Sequence, residues 1–292
     1  MSLARLRQLF DSGAYLQARR EAERLLPGDL TAAERGEVLC LAGRAALLLG
    51  DLYAAVRLTE QAAVAAAAAG DAATESSARL SLGEACLRIG EARRAADHLS
   101  TYLARRPEEM AAHDGDAHWF LAMAHQQLRD YAAAIGHFEE AAASFTARRR
   151  SHDRARALLG IARCYLGVGA PDLAEPPLAA VNEYLRENPS DTLAAELLCA
   201  RALQAHLEGD LAGSARLCQE VFVPGRPGVT PGHIGEAAWV MGENALEIGR
   251  LEEAHLFAEW AMDHAMQANS PGLINRILDL QRRIRTRRQD DG

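Results

Sequence analysis

Turn signals recur along the chain at a nearly constant interval, and this interval constrains the fold more than any other feature. Counted from Gly13, successive turns begin 37, 40, 39, 40, 40 and 40 residues apart. Most of them start with glycine, which ends a helix readily because it adopts a positive φ without steric cost. The turns lie at residues 12–15, 50–52, 90–92, 129–131, 169–171, 209–211 and 249–251. A period in this range predicts repeated helical hairpins.

Small residues occupy two fixed positions relative to these turns. Such residues allow two helix axes to approach closely, while Leu, Val, Ile and Phe at helical spacing fill the space around them. Seven residues before the turns lie Gly43, Gly83, Ala122, Ala162, Ala202 and Gly242. Five residues after them lie Ala18, Ala55, Ala95, Ala134, Ala174, Ser214 and Ala254. The sequence therefore predicts tightly packed antiparallel helices.

The composition agrees with an all-helical protein. Hydrophobic residues make up 49% of the chain, aromatic residues only 5%, and alanine is abundant. The sequence contains no run of about 18 apolar residues, so no membrane span is predicted. The first residues are too polar for a secretory signal. We therefore expect a cytoplasmic protein. All 32 basic residues are arginine, which suggests a GC-rich, bacterial source.

Residues 118–143 and 239–261 carry the clearest copies of the pattern: a small residue, a turn, alanine, Phe or Leu, and alanine. This pattern resembles the tetratricopeptide repeat. Two features depart from that family: its usual period is about 34 residues, and its first-helix Trp and Tyr are mostly replaced here. HEAT repeats also have periods near 40, but they lack this register of small residues and glycine turns.

The resemblance implies an all-α fold, a right-handed α-solenoid of about seven antiparallel hairpins forming a superhelix. We expect one domain over residues 1–292. The predicted hairpins are 1–28, 31–70, 72–107, 112–148, 151–188, 191–224 and 233–269, and a capping helix spans 271–288. The Pro/Gly segment 224–232 is predicted to be non-helical and to replace the end of the second helix of the sixth hairpin. A plain surface loop and a flap over a partner both fit it.

Few residues in the sequence are spaced as the members of a catalytic site usually are, so the chain is predicted not to be an enzyme. Without lysine, a G-x-x-x-x-G-K phosphate loop and a lysine Schiff base are excluded. The five cysteines are scattered singly, which favours small buried hydrophobes over a metal or redox site. The dense group from His113 to His118 has a spacing that matches no defined metal site. We expect no metal and no cofactor.

The resemblance implies that the first helix of each hairpin lines a concave groove. One row, six residues before the turns, should face this groove, and a second row, ten residues before them, should form its wall. Two tryptophans among alternating charges suit an extended or helical peptide better than a highly charged tail. The candidate partner-binding residues are Arg44, Glu84, Trp119, Met123, Arg156, Arg163, Leu203, Trp239 and Glu243.

These observations favour a non-catalytic scaffold or adaptor that binds another protein or a peptide in its groove. The alternative is a peptide-sensing regulatory module of a bacterial signalling or transcription system. The net charge of -8 argues against nucleic acid as the general partner, and no membrane partner is expected. A homodimer is also compatible with the pattern.

Overall fold

The computed structural model describes residues 2–290, which form fifteen α-helices and one short 3₁₀ helix, Glu108–His113, without a strand in that range. The chain divides into two compact units, Met1–Leu128 (unit 1) and Arg129–Gly292 (unit 2). The division falls at the turn of the predicted hairpin 112–148. The all-α prediction is confirmed.

Unit 1 contains three antiparallel helix pairs followed by one further helix. Within it, each first helix packs against its own partner and against the first helix of the next pair. Its helices are α1 (Leu3–Asp11), α2 (Tyr15–Leu25), α3 (Ala32–Leu48), α4 (Leu52–Ala69), α5 (Ala72–Arg88), α6 (Ala92–Arg105) and α7 (Asp114–Gln127).

Unit 2 follows the same plan. Its first helices α9, α11, α13 and α15 pack side by side, and the second helices α10, α12 and α14 pair with them. The helices are α8 (Tyr131–Ala147), α9 (Ser151–Gly167), α10 (Pro171–Glu187), α11 (Asp191–Leu207), α12 (Leu211–Val221), α13 (Pro231–Glu247), α14 (Leu251–Gln267) and α15 (Pro271–Asp290). Two 17-residue helices and two three-residue turns, as in α9 and α10, account for the period of 40.

The turns combine a left-handed residue with a helix N-cap. Gly50 and Gly209 have φ values of 80° and 81°, which glycine adopts without a clash. The following aspartates accept a backbone N–H of the next helix, Asp51 from Ala54 at 3.2 Å and Asp210 from Gly213 at 2.8 Å. The recurring Gly-Asp-Leu sequence therefore ends one helix and starts the next.

The two small-residue positions lie at helix contacts, as predicted. Every alanine at these positions, and Ser214, is 0% exposed. Gly83 shows why size matters, because a Cβ there would lie 2.5 Å from Cγ of Leu99. The register read from the sequence is confirmed.

Arginines also join successive repeats. Arg88 of α5 donates from Nη1 to the carbonyl oxygen of Leu47 at the end of α3, at 3.3 Å. Arg287 of α15 makes the same bond to the carbonyl oxygen of Leu246 at the end of α13, at 3.2 Å. Each of these carbonyls also accepts the backbone N–H of the turn glycine, Gly50 or Gly249, at 3.1 Å, so the arginine adds a second hydrogen bond at the end of the helix. The last helix, α15, is therefore bonded to α13 in the same way as α5 is bonded to α3.

The Pro/Gly segment shortens α12 to 11 residues, as predicted. The prediction that all of 224–232 is non-helical is wrong at its end, since α13 begins at Pro231. Proline is accommodated at the first helical position because that N–H needs no intrahelical partner. Gly228 has φ 73°, and a Cβ there would lie 2.1 Å from the backbone of Asp191. The segment thus lies directly against the start of α11.

All five cysteines are buried, and none forms a disulfide within residues 2–290, as expected for small hydrophobes. Burial raises the pKa of Cys86 to about 11 and that of Cys218 to about 12. Among residues 2–290, no helix has both the length and the apolar character needed to cross a bilayer.

Candidate functional site

In unit 1, the predicted groove residues Arg44 and Glu84 lie on neighbouring first helices, α3 and α5. The Arg44 guanidinium carbon lies 4.7 Å from the ring centroid of Phe10, a cation–π contact. Glu84 lies 3.8 Å from Arg88 of the same helix. Burial raises the pKa of Glu84, Asp116 adds to this, and Arg88 opposes it. These two residues thus contact different neighbours.

Trp119 and Met123 follow on α7 and are half-buried. The Trp119 ring meets the ring of Phe120 edge-on, with centroids 5.2 Å apart. Met123 packs against the apolar core of unit 1. Both side chains therefore combine packing with partial exposure.

In unit 2, the surface formed by α9, α11, α13 and α15, here called the first-helix face of unit 2, carries a cluster of ion pairs around Glu236. Arg163 Nη2 donates to Glu236 Oε2 at 2.8 Å. Arg276 Nη2 donates to Glu236 Oε1 at 3.3 Å. One carboxylate of α13 thus joins α9, two first helices earlier, and α15, the next one.

Trp239 lies one helical turn after Glu236 and belongs to the same cluster. Its side chain is 9% exposed, and the guanidinium carbon of Arg276 lies 4.6 Å from its ring centroid. Two turns after Glu236, the carboxylate of Glu243 accepts a hydrogen bond from Arg283. The structure therefore brings together the predicted residues Arg163 and Trp239 through partners that were not predicted.

The two other predicted residues of unit 2, Leu203 and Arg156, do not take part in these ion pairs. Leu203 of α11 is buried in the core, with 8% exposure. Arg156 of α9 lies 4.0 Å from Asp153, and its side chain is 38% exposed. Arg156 is therefore the more accessible of the two.

The charges in the cluster keep both the Glu236 carboxylate and the Arg163 guanidinium ionised. Burial alone would raise the pKa of Glu236, but Arg163 and Arg276 outweigh it, so this pKa lies below its usual range. Burial alone would lower the pKa of Arg163, but Glu236 and Glu196 outweigh it and raise that pKa. Charge pairing thus dominates over desolvation at both groups.

Sequence reasoning missed Glu236, Arg276 and Arg283, although the period contained the signal. Arg276 and Arg283 lie 40 residues after Glu236 and Glu243. Extending the groove rows into the capping helix would have placed opposite charges at equivalent positions of neighbouring first helices.

The group from His113 to His118 does not form a metal centre in the described chain. Asp114 starts α7 and pairs with Arg106 through both carboxylate oxygens. Within residues 2–290, no group of three or more His, Cys, Asp or Glu side chains is arranged to hold a metal ion.

Neither a protein-family profile nor the sequence of a curated protein matches the chain. Solved structures do. NprR in complex with its cognate peptide NprX aligns with a TM-score of 0.74 and 14% identity, over 96% of this chain and 81% of NprR. The apo form of the quorum sensor NprR from B. thuringiensis aligns with a TM-score of 0.65 and 16% identity, over 96% and 80%.

Two further proteins have the same arrangement of helices. A Rap protein complexed with competence and sporulation factor aligns with a TM-score of 0.63 and 17% identity, over 91% of this chain and 74% of Rap. A tetratricopeptide repeat protein from Parabacteroides merdae aligns with a TM-score of 0.63 and 18% identity, over 94% and 97%. The fold expected from the repeat pattern is confirmed: the chain has the helical-hairpin repeat fold of tetratricopeptide repeat proteins.

Proposed function

We propose that the chain is a non-catalytic scaffold that binds a peptide, or an extended or helical segment of another protein, on the first-helix face of unit 2. The observation that carries this proposal is the cluster of Arg163, Glu236, Trp239 and Arg276, which places a large aromatic ring among arginines. Tryptophan and arginine are the residue types that most often contribute strongly to binding energy at protein interfaces.

The charge of this face supports a partner that is not highly charged. Arg163, Arg276 and Arg283 are offset by Glu236 and Glu243 through the ion pairs described above. A nearly balanced surface gives little long-range attraction for nucleic acid or for a strongly acidic tail. Shape and hydrogen bonding should therefore decide which segment binds.

The structural comparisons support the same class of partner. NprR was solved with its cognate peptide and Rap with competence and sporulation factor. The present chain shares their fold, which supports a bound segment of this kind as its partner.

Selection from a library of random 12-residue peptides tests the proposal. Enriched peptides should bind the full chain, and Arg156→Glu on the first-helix face should weaken their binding several-fold in titration calorimetry. Arg216→Glu is the matched control, because it makes the same charge change at an exposed position of the second helix α12. Failure to enrich any peptide, or equal losses in both variants, would contradict the proposal.

The alternative is a peptide-sensing regulatory module, and the likeness to the quorum sensor NprR favours it. In that case a bound peptide should change how the hairpins stack. Small-angle scattering at saturation with a selected peptide should then show a changed radius of gyration. An unchanged scattering curve would leave the plain scaffold as the better description.

A further inference from the structure

Two N–H donors on the first-helix face of unit 2 have no acceptor among residues 2–290. They are Nε of Arg163 and Nε1 of Trp239, and both atoms are buried. Buried polar atoms are nearly always hydrogen-bonded, because an unsatisfied donor loses its contact with water without compensation. Two such atoms in one cluster point to a ligand that supplies acceptors.

Both donor side chains contact the ion pair of Glu236 and Arg276, Arg163 through Glu236 and Trp239 through Arg276. Arg163 uses Nη2 for Glu236, which leaves Nε unpaired. Trp239 lies under the guanidinium of Arg276, which in turn bonds Glu236. The side chains of Arg163 and Arg276 are 29% and 30% exposed, so an incoming chain can reach the cluster from solvent at its two arginines.

The charge around the donors decides what kind of acceptor fits. Two arginines, Arg163 and Arg276, face two carboxylates, Glu196 and Glu236. Glu236 already occupies one N–H of Arg163, so a second carboxylate would be repelled at close range. A carbonyl or amide oxygen accepts the same hydrogen bonds without this repulsion. The balance therefore favours a neutral acceptor over an acidic one.

We propose that the cluster of Arg163, Trp239, Glu236 and Arg276 binds an uncharged stretch of peptide whose carbonyl oxygens accept hydrogen bonds from Arg163 Nε and Trp239 Nε1. This inference rests on the peptide-binding function proposed above and specifies the chemistry of the partner. Arg163 serves two acceptors at once, Glu236 within the fold and a carbonyl of the partner.

Two matched pools of N-acetylated, C-amidated octapeptides test it. One contains Ala, Leu, Val, Ser and Gln, and the other is identical except for glutamate at two positions. The uncharged pool should give the tighter binders to the full chain. Trp239→Phe keeps a ring but removes the donor, and it should weaken the best uncharged peptide about three- to tenfold, the effect of one hydrogen bond.

Arg163→Lys retains a cation for Glu236 while removing the Nε donor, and the same loss is expected. The controls are Trp260→Phe and Arg216→Lys on the second helices α14 and α12, which should bind within about twofold of the unchanged chain. Circular dichroism checks the fold of each variant. As an independent measurement, the indole N–H resonance of Trp239, assigned through Trp239→Phe, should shift when the uncharged peptide is added.

The outcomes separate the two levels of the proposal. Tighter binding by the acidic pool, an unshifted Trp239 indole resonance at saturation, or unaltered affinity in folded Trp239→Phe and Arg163→Lys would overturn this inference and leave peptide binding intact. No binding by either pool would also overturn this inference, whereas the peptide-binding function itself fails only if the random 12-residue library yields no binder.

Discussion

Charged side chains of α5 in unit 1 and of α9 in unit 2 find their partners at different distances along the chain. In unit 1, Arg79 pairs with Glu75 and Arg88 with Glu84 inside one helix. In unit 2, Arg163 pairs with Glu236, 73 residues away. A pair inside one helix stabilises only that helix, whereas a pair between helices opposes their separation. Unit 2 thus adds a charge network centred on a buried carboxylate, that of Glu236, to the apolar packing that both units share.

The burial of the charges differs as well. Arg7 and Glu37 join α1 and α3 in unit 1, but the arginine side chain is 56% exposed. The carboxylate of Glu236 is only 9% exposed. Exposed pairs contribute little because water and salt screen them, whereas loss of one buried partner leaves an uncompensated charge. The two units should therefore respond very differently to the loss of one glutamate.

The largest difference in the free energy of unfolding is expected between the variants Glu236→Ala and Glu84→Ala. Removal of Glu236 leaves Arg163 and Arg276 without their shared carboxylate and should cost about 2 to 4 kcal/mol in the free energy of unfolding. Removal of Glu84, which has only a weak pair with Arg88, should cost about 0.5 kcal/mol or less. Urea unfolding followed by circular dichroism measures both. Equal costs would remove the distinction between the units.

The same two glutamates should respond to pH with opposite signs. The folded pKa of Glu236 lies below the unfolded value of 4.5, so its ionised form stabilises the fold above pH 4.5, and this contribution is lost as the pH falls through the folded pKa. The folded pKa of Glu84 lies above 4.5. Its protonated form stabilises the fold below pH 4.5, and that contribution is lost as the pH rises through the folded pKa.

Unfolding of Glu236→Gln and Glu84→Gln at pH 7 and pH 3 checks these signs. Glu236→Gln should be less stable than the unchanged chain by about 1 to 2 kcal/mol at pH 7, and the difference should shrink in acid. Glu84→Gln should be neutral or slightly more stable at pH 7, and it should also converge in acid. The same sign for both variants at pH 7 would contradict the assigned shifts.

The smallest effect concerns the turns between hairpins. Unit 1 has Gly70 there with φ 70°, whereas unit 2 has Arg149 with φ 57°. A left-handed backbone conformation costs a non-glycine residue about 1 to 2 kcal/mol. Glycine avoids this cost, but part of the benefit is lost because glycine has more conformational freedom in the unfolded chain. Arg149→Gly should therefore stabilise the protein by about 0.5 kcal/mol net, visible as a raised melting temperature.

Asn269→Gly is the matched control for Arg149→Gly. Asn269 also has a positive φ, 46°, but asparagine tolerates this region better than arginine. Its replacement should change the melting temperature less. A larger gain at Asn269 than at Arg149 would show that backbone conformation does not decide the effect.

The repeat register could be read from the sequence because its cause is local. Ala162 and Ala174 recur at fixed distances from a turn, and both are fully buried at the contact between helices. Only a small side chain permits that contact, so the period itself records the packing. The positions of the turns followed from it, but the proline at Pro231 was taken as a breaker although it occupies the first position of α13.

The candidate site could be predicted only in part because its contacts skip a repeat. Arg163 and Trp239 were identified from their position before a turn, but no period relates Arg163 to Glu236 across 73 residues. The ring of Trp239 contacts Arg276 of the last helix, which the sequence indicated only as a polar cap. Pairing between non-adjacent repeats depends on how the helices curve around one another, and a repeat pattern does not contain that information.

The bond from Arg287 to Leu246 gives the end of the chain a modular character. It repeats the bond from Arg88 to Leu47, and both pairs are separated by 41 residues. The last helix thus joins its predecessor α13 in the same way that α5 joins α3. Duplication of one 40-residue segment between equivalent turns would keep such joints in register where pairing is confined to neighbouring hairpins, whereas an insertion between α9 and α13 would separate Arg163 from Glu236.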